Sequence, residues 1–296
     1  MAFLQAIQTR PLLFDGAMGT ELLARGLVIE KGTSPELWNV TKPKIVQDIH
    51  KSYYDAGADV VLTNTFGGTR PKLEKLGLGD RTQEFNLAAA KLAKEIAPQG
   101  KYVAGDIGPT GLMLPPMGKA EVEDFLTAFE EQAAALWDGR VDLFAIETMF
   151  DLREAKAAVK AIRNVSKDVP IVASMTFEQK KRGFFTIVGD KPEDCFKALA
   201  EAGANIVGSN CSLSSDAMLT LFEEYINAAN MPKFAEPNAG QPQMDEYGKT
   251  FYNQTPKSFA EDIARMVQLG VKVVGGCCGT NPEFISEIAK RLASIG

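Results

Sequence analysis

Eight short apolar runs rich in β-branched residues alternate with helix-period segments from one end of the chain to the other, and this alternation constrains the fold most. The runs are Leu12–Asp15, Asp59–Thr63, Tyr102–Asp106, Asp142–Glu147, Ile171–Met175, Asn205–Ser209, Lys233–Glu236 and Lys272–Gly275. They are too short for helices and almost continuously apolar, the pattern of strands buried on both faces. The segments between them mark their own ends. Lys42–Ala56 places Ile45, Val46, Ile49 and Tyr53 on one face, with Pro43 near its start and Gly57 just past its end. Asp151-Leu-Arg-Glu154 reads as a capping box opening a helix through Ile162, and Thr255-Pro256 and Asn281-Pro282 open two more. Strands alternating with helices predict a parallel sheet, and eight strands close a barrel. The expected fold is therefore α/β, a single (β/α)8 TIM barrel with residues 1–296 as one domain. An open doubly wound sheet is the alternative, disfavoured because no G-x-G-x-x-G stands at the first strand–helix turn. The Gly/Pro-rich stretch Gly108–Gly118 reads as a loop after the third strand, not a boundary.

Composition matters mainly for what it excludes. The net charge of −6 and the lack of a long basic run argue against nucleic acid as a partner. No apolar stretch approaches the roughly 18 residues of a membrane span, and the N-terminus lacks the basic and apolar regions of a signal peptide, so the expected location is cytoplasmic. There is one histidine, His50. A Ser-His-Asp hydrolase would have to rest on it, and a binuclear metallohydrolase barrel would need several. It falls on the helix after the first strand and reads as a surface or interface residue.

The chemistry is concentrated in cysteine. Of four cysteines, Cys195 sits in a helix-period segment and reads as packing. The other three follow strand ends: Cys211 in Gly208-Ser-Asn-Cys-Ser-Leu213, and Cys277 and Cys278 in Val274-Gly-Gly-Cys-Cys-Gly-Thr280. Loops at the C-terminal ends of barrel strands build the site, and strands six and eight lie only two apart around a closed barrel. Three thiolates converging there suit a zinc ion with three protein ligands and one open position. Such a position binds and deprotonates a fourth, substrate sulfur. Spacing alone leaves a second reading open, in which a vicinal cysteine pair flanked by glycines is a tight strand end without metal.

The sequence around these cysteines resembles the homocysteine S-methyltransferase family. Gly208-Ser-Asn-Cys211 and Gly275-Gly-Cys-Cys-Gly-Thr280 carry the likeness, and Asp15-Gly-Ala-Met-Gly-Thr20, Thr63-Asn-Thr-Phe66, Gly105-Asp-Ile-Gly-Pro-Thr110, Ile146-Glu-Thr148 and Glu236-Pro-Asn-Ala-Gly240 extend it over nearly the whole chain. Within the family the likeness is greatest to the homocysteine-binding barrel of the cobalamin-dependent members. It implies Cys211, Cys277 and Cys278 as zinc ligands, Glu147 and Asp15 at the substrate ammonium and amino-acid end, and the backbone of Gly16 and Ala17 beside them. Thr63, Phe66 and Asn210 would line the same pocket. The implied reaction is methyl transfer to the thiol of homocysteine, giving methionine. The donor would be methylcobalamin or a methylated corrinoid held on a separate protein, since the only histidine, in Asp48-Ile-His-Lys-Ser-Tyr53, lacks the glycine of a D-x-H-x-x-G corrinoid motif. Two alternatives stand beside this. One is a small donor such as S-methylmethionine or betaine, caged by aromatic residues among Phe66, Phe150, Phe177 and Tyr252. The other is a zinc-carrying docking subunit for a corrinoid protein.

Overall fold

The structure, a computed structural model, describes residues 2–28, 30, 32–244 and 250–295. Eight strands alternate with eight principal helices: β1 (Leu12–Leu13), α1 (Pro43–Asp55), β2 (Val60–Leu62), α2 (Thr82–Ile96), β3 (Tyr102–Ile107), α3 (Val122–Asp138), β4 (Leu143–Met149), α4 (Leu152–Val165), β5 (Ile171–Met175), α5 (Pro192–Ala202), β6 (Ile206–Ser214), α6 (Ser215–Tyr225), β7 (Lys233–Asn238), α7 (Pro256–Leu269), β8 (Val271–Val274) and α8 (Pro282–Ala293). Neighbours in sequence are neighbours in the sheet, every pairing is parallel, and β8 returns to β1 with Leu12 opposite Val273. All eight expected strands are present, and the fold is the α/β TIM barrel.

The seam between β1 and β2 is held differently from the rest. Its backbone pairing is reduced to a bridge between Phe14 and Val60 and the bond from Asp59 N to Leu13 O. Two carboxylates complete it. Asp59 Oδ2 accepts from Leu13 N at 3.1 Å, and Asp15 Oδ2 accepts from Leu62 N at 3.0 Å. This is why β1 stops short of the expected Asp15: that residue closes the barrel through its side chain. Burial opposes the charge on Asp59, but hydrogen bonds from Arg10 and Lys101 hold its carboxyl below the usual range.

The barrel interior has an apolar floor. Leu12, Phe14, Val60, Ala104, Val172 and Phe234 belong to one buried cluster, in which the rings of Phe14 and Phe234 meet edge to face at 5.3 Å. A helix not singled out in the sequence, Ala2–Thr9, plugs this end with Phe3 and Ile7; Phe3 lies 5.4 Å from the Tyr102 ring. A larger cluster fills the layer between the strands and the outer helices.

Two local expectations are corrected. His50 is not a surface residue: it is completely buried on α1, neither ring nitrogen has a hydrogen-bond partner, and burial lowers its pKa to about 4. Asp151 does cap α4, accepting from Arg153 N at 2.9 Å, but Glu154 does not complete a capping box. Its carboxylate instead accepts from the N–H and hydroxyl of Thr110. Cys195 is fully buried, as a packing residue would be. Two small hairpins, Glu178–Lys180 with Gly183–Phe185 and Pro242–Met244 with Thr250–Tyr252, follow β5 and β7. No helix among the described residues is long and apolar enough to cross a membrane.

Candidate active site

Inward-facing positions on a strand recur every second residue, so each strand that starts on the apolar floor carries its parity up to the mouth. On β3 the step from Ala104 leads to Asp106; on β4 Ala145 leads to Glu147; on β7 Phe234 leads to Glu236. With Asp15, these form a layer of four carboxyl groups, 1%, 4%, 8% and 1% exposed for Asp15, Asp106, Glu147 and Glu236. Asp15 Oδ1, Asp106 Oδ1 and Glu236 Oε1 have no hydrogen-bond partner. Gly275 makes the room: a Cβ there would lie 2.6 Å from Glu236 Oε1 and 2.9 Å from Phe14 Cβ.

Burial raises the pKa of all four acids, and for Asp15, Asp106 and Glu236 the charge on Glu147 adds to it. Four such groups cannot all ionise in a water-poor layer without a cation. A positively charged group is what such a layer would complement.

Asn210 fixes the orientation of Glu147. Its amide donates to Glu147 Oε2 at 2.6 Å and to Thr148 Oγ1 at 2.9 Å, while its Oδ1 accepts from Thr148 N and Ser174 Oγ. These bonds hold Thr148 at φ 57°, a costly conformation for a β-branched residue. Immediately beyond Asn210, Cys211 and Ser212 also take left-handed conformations, φ 58° and 56°, which bend the end of β6.

That bend brings three sulfurs together. The Sγ atoms of Cys211, Cys277 and Cys278 all lie within 4.8 Å of one another, with Cys211 and Cys278 at 3.9 Å. The loop after β8 is laced to its surroundings. Cys277 N donates to Pro237 O at 2.8 Å, Ala239 N to Cys278 O at 2.9 Å, and the Thr280 hydroxyl to Cys277 O at 2.7 Å. Gly279 has φ 83°, and a Cβ there would sit 2.3 Å from the Tyr252 ring. Left to themselves the thiols hold one negative charge among them. Hydrogen bonds from Cys211 and Cys277 bring Cys278 down to about 3, and hydrogen bonding to Cys211 and Cys278, with burial, pushes Cys277 well up. Cys211 rises to about 11, because a bond with Cys278 and burial outweigh the lowering by Cys277.

The spacing suits a tetrahedral metal. Two zinc–sulfur bonds of about 2.3 Å at a tetrahedral angle separate the sulfurs by roughly 3.8 Å. A disulfide requires about 2.05 Å, so these are free thiols arranged as a ligand set.

The remaining sequence candidates are placed as follows. Gly16 packs against Thr280 and Tyr53, where a Cβ would fall 2.8 Å from Thr280 Oγ1, and Ala17 N donates to that same hydroxyl at 3.2 Å. Thr63 Oγ1 accepts from Asp106 N at 3.0 Å, joining Thr63 to the acidic layer through backbone. Phe66 is exposed at the mouth, one face covered by the backbone at Gly108 and with Lys72 Nζ 4.4 Å from its ring centre. Phe177 is fully buried against Phe196. Sequence reasoning gave no role to Asp106, Glu236 or Asn238, whose Oδ1 is buried and unpartnered beside the cysteine loop. Strand parity accounts for them once the floor is known: each lies on the inward register of its strand.

The comparisons with known proteins agree with this geometry. The family model described as homocysteine S-methyltransferase matches residues 12–292. A methionine synthase from Mycobacterium tuberculosis is 32% identical over 99% of this chain and 25% of its own length, and one from Mycobacterium leprae is 30% identical over 98% and 25%. The chain thus spans about a quarter of the length of these relatives. Among solved structures, the metallated form of the homocysteine methyltransferase MmuM from Escherichia coli superimposes with a TM-score of 0.81 at 23% identity, covering 98% of both chains, a likeness of fold. From β1 to the last helix, the chain belongs to the homocysteine S-methyltransferase family.

Proposed function

We propose that this barrel binds homocysteine and methylates its thiol, with a zinc ion held by Cys211, Cys277 and Cys278. The observation that carries the reading is the meeting, at one barrel mouth, of three sulfurs at metal-ligand spacing with a buried layer of unspent carboxylate oxygens. The ion would supply a position at which a substrate thiol loses its proton at neutral pH. The chain's own residues supply the rest. Asp15 and Glu147 receive the ammonium of the amino acid, and Asn210 keeps Glu147 aimed by holding both it and Thr148. Gly16, Ala17, Thr63 and Phe66 shape the amino-acid end of the pocket. The plugged floor leaves the mouth as the route in. In the reaction a sulfur–carbon bond forms as the donor's bond to its methyl group breaks, the electron pair leaving with the donor. Holding the two reactants together accounts for most of the acceleration.

The donor we favour is a methylated corrinoid such as methylcobalamin, carried on a separate protein or on another part of a longer one. Two observations support this. The relatives named methionine synthase are about four times as long as this chain. Exposed apolar side chains also stand on the strand-to-helix loops, among them Val28, Met117, Ile187, Met244 and Phe251, the side on which a macromolecular donor would have to arrive. Small cationic donors would want an aromatic cage. Of the candidate walls, Phe177 is packed in the core and Phe66 already carries Lys72, which leaves Phe150 and Tyr252, both half-buried, with Tyr252 against the cysteine loop at Gly279. A docking subunit without catalysis would have no need of the acidic layer.

The test is methionine formation from homocysteine and free methylcobalamin, comparing zinc-loaded with chelator-stripped protein. Zinc-dependent turnover is expected. Turnover with S-methylmethionine or betaine and none with methylcobalamin would overturn the donor assignment.

A further inference from the structure

Between the two hairpins that follow β5 and β7 lies a cleft of about 550 Å³. It borders the cysteine cluster on two sides. Ser212, which lines it, is the residue after Cys211, and Asn238, which also lines it, precedes the Ala239 N–H bonded to Cys278 O. Its lining is unlike the acidic layer beneath the cysteines. Gln179, Gln241 and Asn238 present carboxamides and Ser212 a hydroxyl, while the two charged residues, Glu178 and Lys180, are paired with each other. Leu213, Ala217, Pro242 and Phe177, whose ring is fully buried against Phe196 and offers no open face, add an apolar wall. Asn238, which also lines the cleft, is 4% exposed and its buried Oδ1 has no hydrogen-bond partner.

The chemistry of this lining selects its ligand. A phosphate or carboxylate would want unpaired cations, and a sulfonium or quaternary ammonium group would want carboxylates or open aromatic faces. Carboxamides both donate and accept, and they best match other neutral amides. We propose that this cleft seats the carboxamide-bearing rim of the methyl donor, with Gln179, Gln241 and Asn238 exchanging hydrogen bonds with its amides. The proposal rests on the corrinoid reading above: a corrin is an apolar macrocycle fringed with acetamide and propionamide side chains. Holding that rim beside Ser212 and Asn238 fixes the ring in register with the cysteines and so determines donor specificity.

The experiment is a titration of the zinc-loaded full chain with methylcobalamin, followed by visible absorbance and by quenching of tryptophan fluorescence. It compares the unsubstituted protein with a Gln179→Ala, Gln241→Ala double variant. Both glutamines are exposed, and homocysteine affinity together with zinc content reports that fold and cysteine cluster are intact. The double variant is expected to bind methylcobalamin about tenfold more weakly, the loss from two neutral hydrogen bonds, with homocysteine affinity unchanged. Methylcobinamide, which keeps the amide fringe and lacks the nucleotide tail, should show the same loss. Equal methylcobalamin affinity in the two proteins would overturn the cleft assignment and leave the donor class standing. A loss seen with methylcobalamin alone would give the cleft to the nucleotide tail and overturn the amide reading. No methylcobalamin binding by the unsubstituted protein would overturn the donor class and the cleft assignment together.

Discussion

The floor and the mouth of this barrel are built by the same strands at the same inward register, yet they obey opposite rules. At the floor, Phe14, Phe234, Val172 and Ala104 meet the plug of Phe3 and Ile7, and every group is satisfied by contact alone. Two residues further along β3, β4 and β7 stand Asp106, Glu147 and Glu236, also buried, and Asp106 and Glu236 each keep an oxygen without a partner. The floor is stable as it stands, whereas the mouth carries acids whose charge burial opposes. Stability and binding are thus separated along the axis of a single core, and a substitution in one half should leave the other half's property intact.

The largest effect expected is at the floor. Phe3→Ala removes the largest side chain of the plug and should cost about 3–5 kcal/mol of unfolding free energy, as large-to-small changes of buried aromatics do. Denaturant unfolding measures this, with homocysteine affinity and zinc content unchanged. A loss of affinity equal to the loss of stability would show that floor and mouth are one cooperative unit and break the comparison.

Next comes the mouth. Glu147→Gln keeps the shape and removes the charge, so homocysteine should bind roughly 10- to 100-fold more weakly, the worth of a hydrogen bond between charged groups at about 1.5–3 kcal/mol. The melting temperature should hold or rise, because burial opposes the charge on Glu147. Calorimetric titration checks the first and thermal unfolding the second. Unchanged affinity would place the ammonium elsewhere in the acidic layer.

The smallest effect sharpens the contrast through pH. Carboxyl groups whose folded pKa is raised stabilise the protein fully below the unfolded value, near 4, and that contribution is lost as pH rises through the folded value. Without homocysteine, stability should therefore decline from pH 4 upward, by at most about 1.4 kcal/mol per pH unit for each proton released, until the folded value is passed. Asp106→Asn should flatten the decline, whereas Phe3→Ala should shift the curve downward without changing its slope. Parallel curves for the unsubstituted protein and Asp106→Asn would remove Asp106 from the set of buried acids.

The sequence made the floor of this argument easier to see than the mouth. Runs such as Ile171–Met175 are short, apolar and bounded, and all eight became strands because that pattern has few other solutions. Cys211, Cys277 and Cys278 stood out as strand-end residues of a reactive type, and they do converge. Asp106 and Glu236 did not stand out. In a strand buried on both faces neither register is polar, so nothing local tells an acid facing the barrel axis from one facing a helix. The plug helix was hidden because eight residues at the start of a chain carry little periodicity, and Phe3 gains its meaning only from Phe14 and Tyr102. His50 looked like a surface residue because histidine is ordinarily solvated. Only packing shows that α1 turns it inward.

Asp15 has one oxygen committed to Leu62 across the β1–β2 seam and one oxygen free in the pocket. The residue is a clasp on the cylinder and, under the proposed function, a receptor for the substrate's ammonium as well. A barrel is spared edge-to-edge aggregation only while its ends are joined, and here the join is a single backbone bridge reinforced by side chains. Loading the free oxygen should therefore tighten the clasp, so that a filled enzyme is also one less prone to unzip and self-associate. Substitution of Asp15 would by the same token add an open sheet edge to the binding defect, so that turbidity should accompany the loss of turnover.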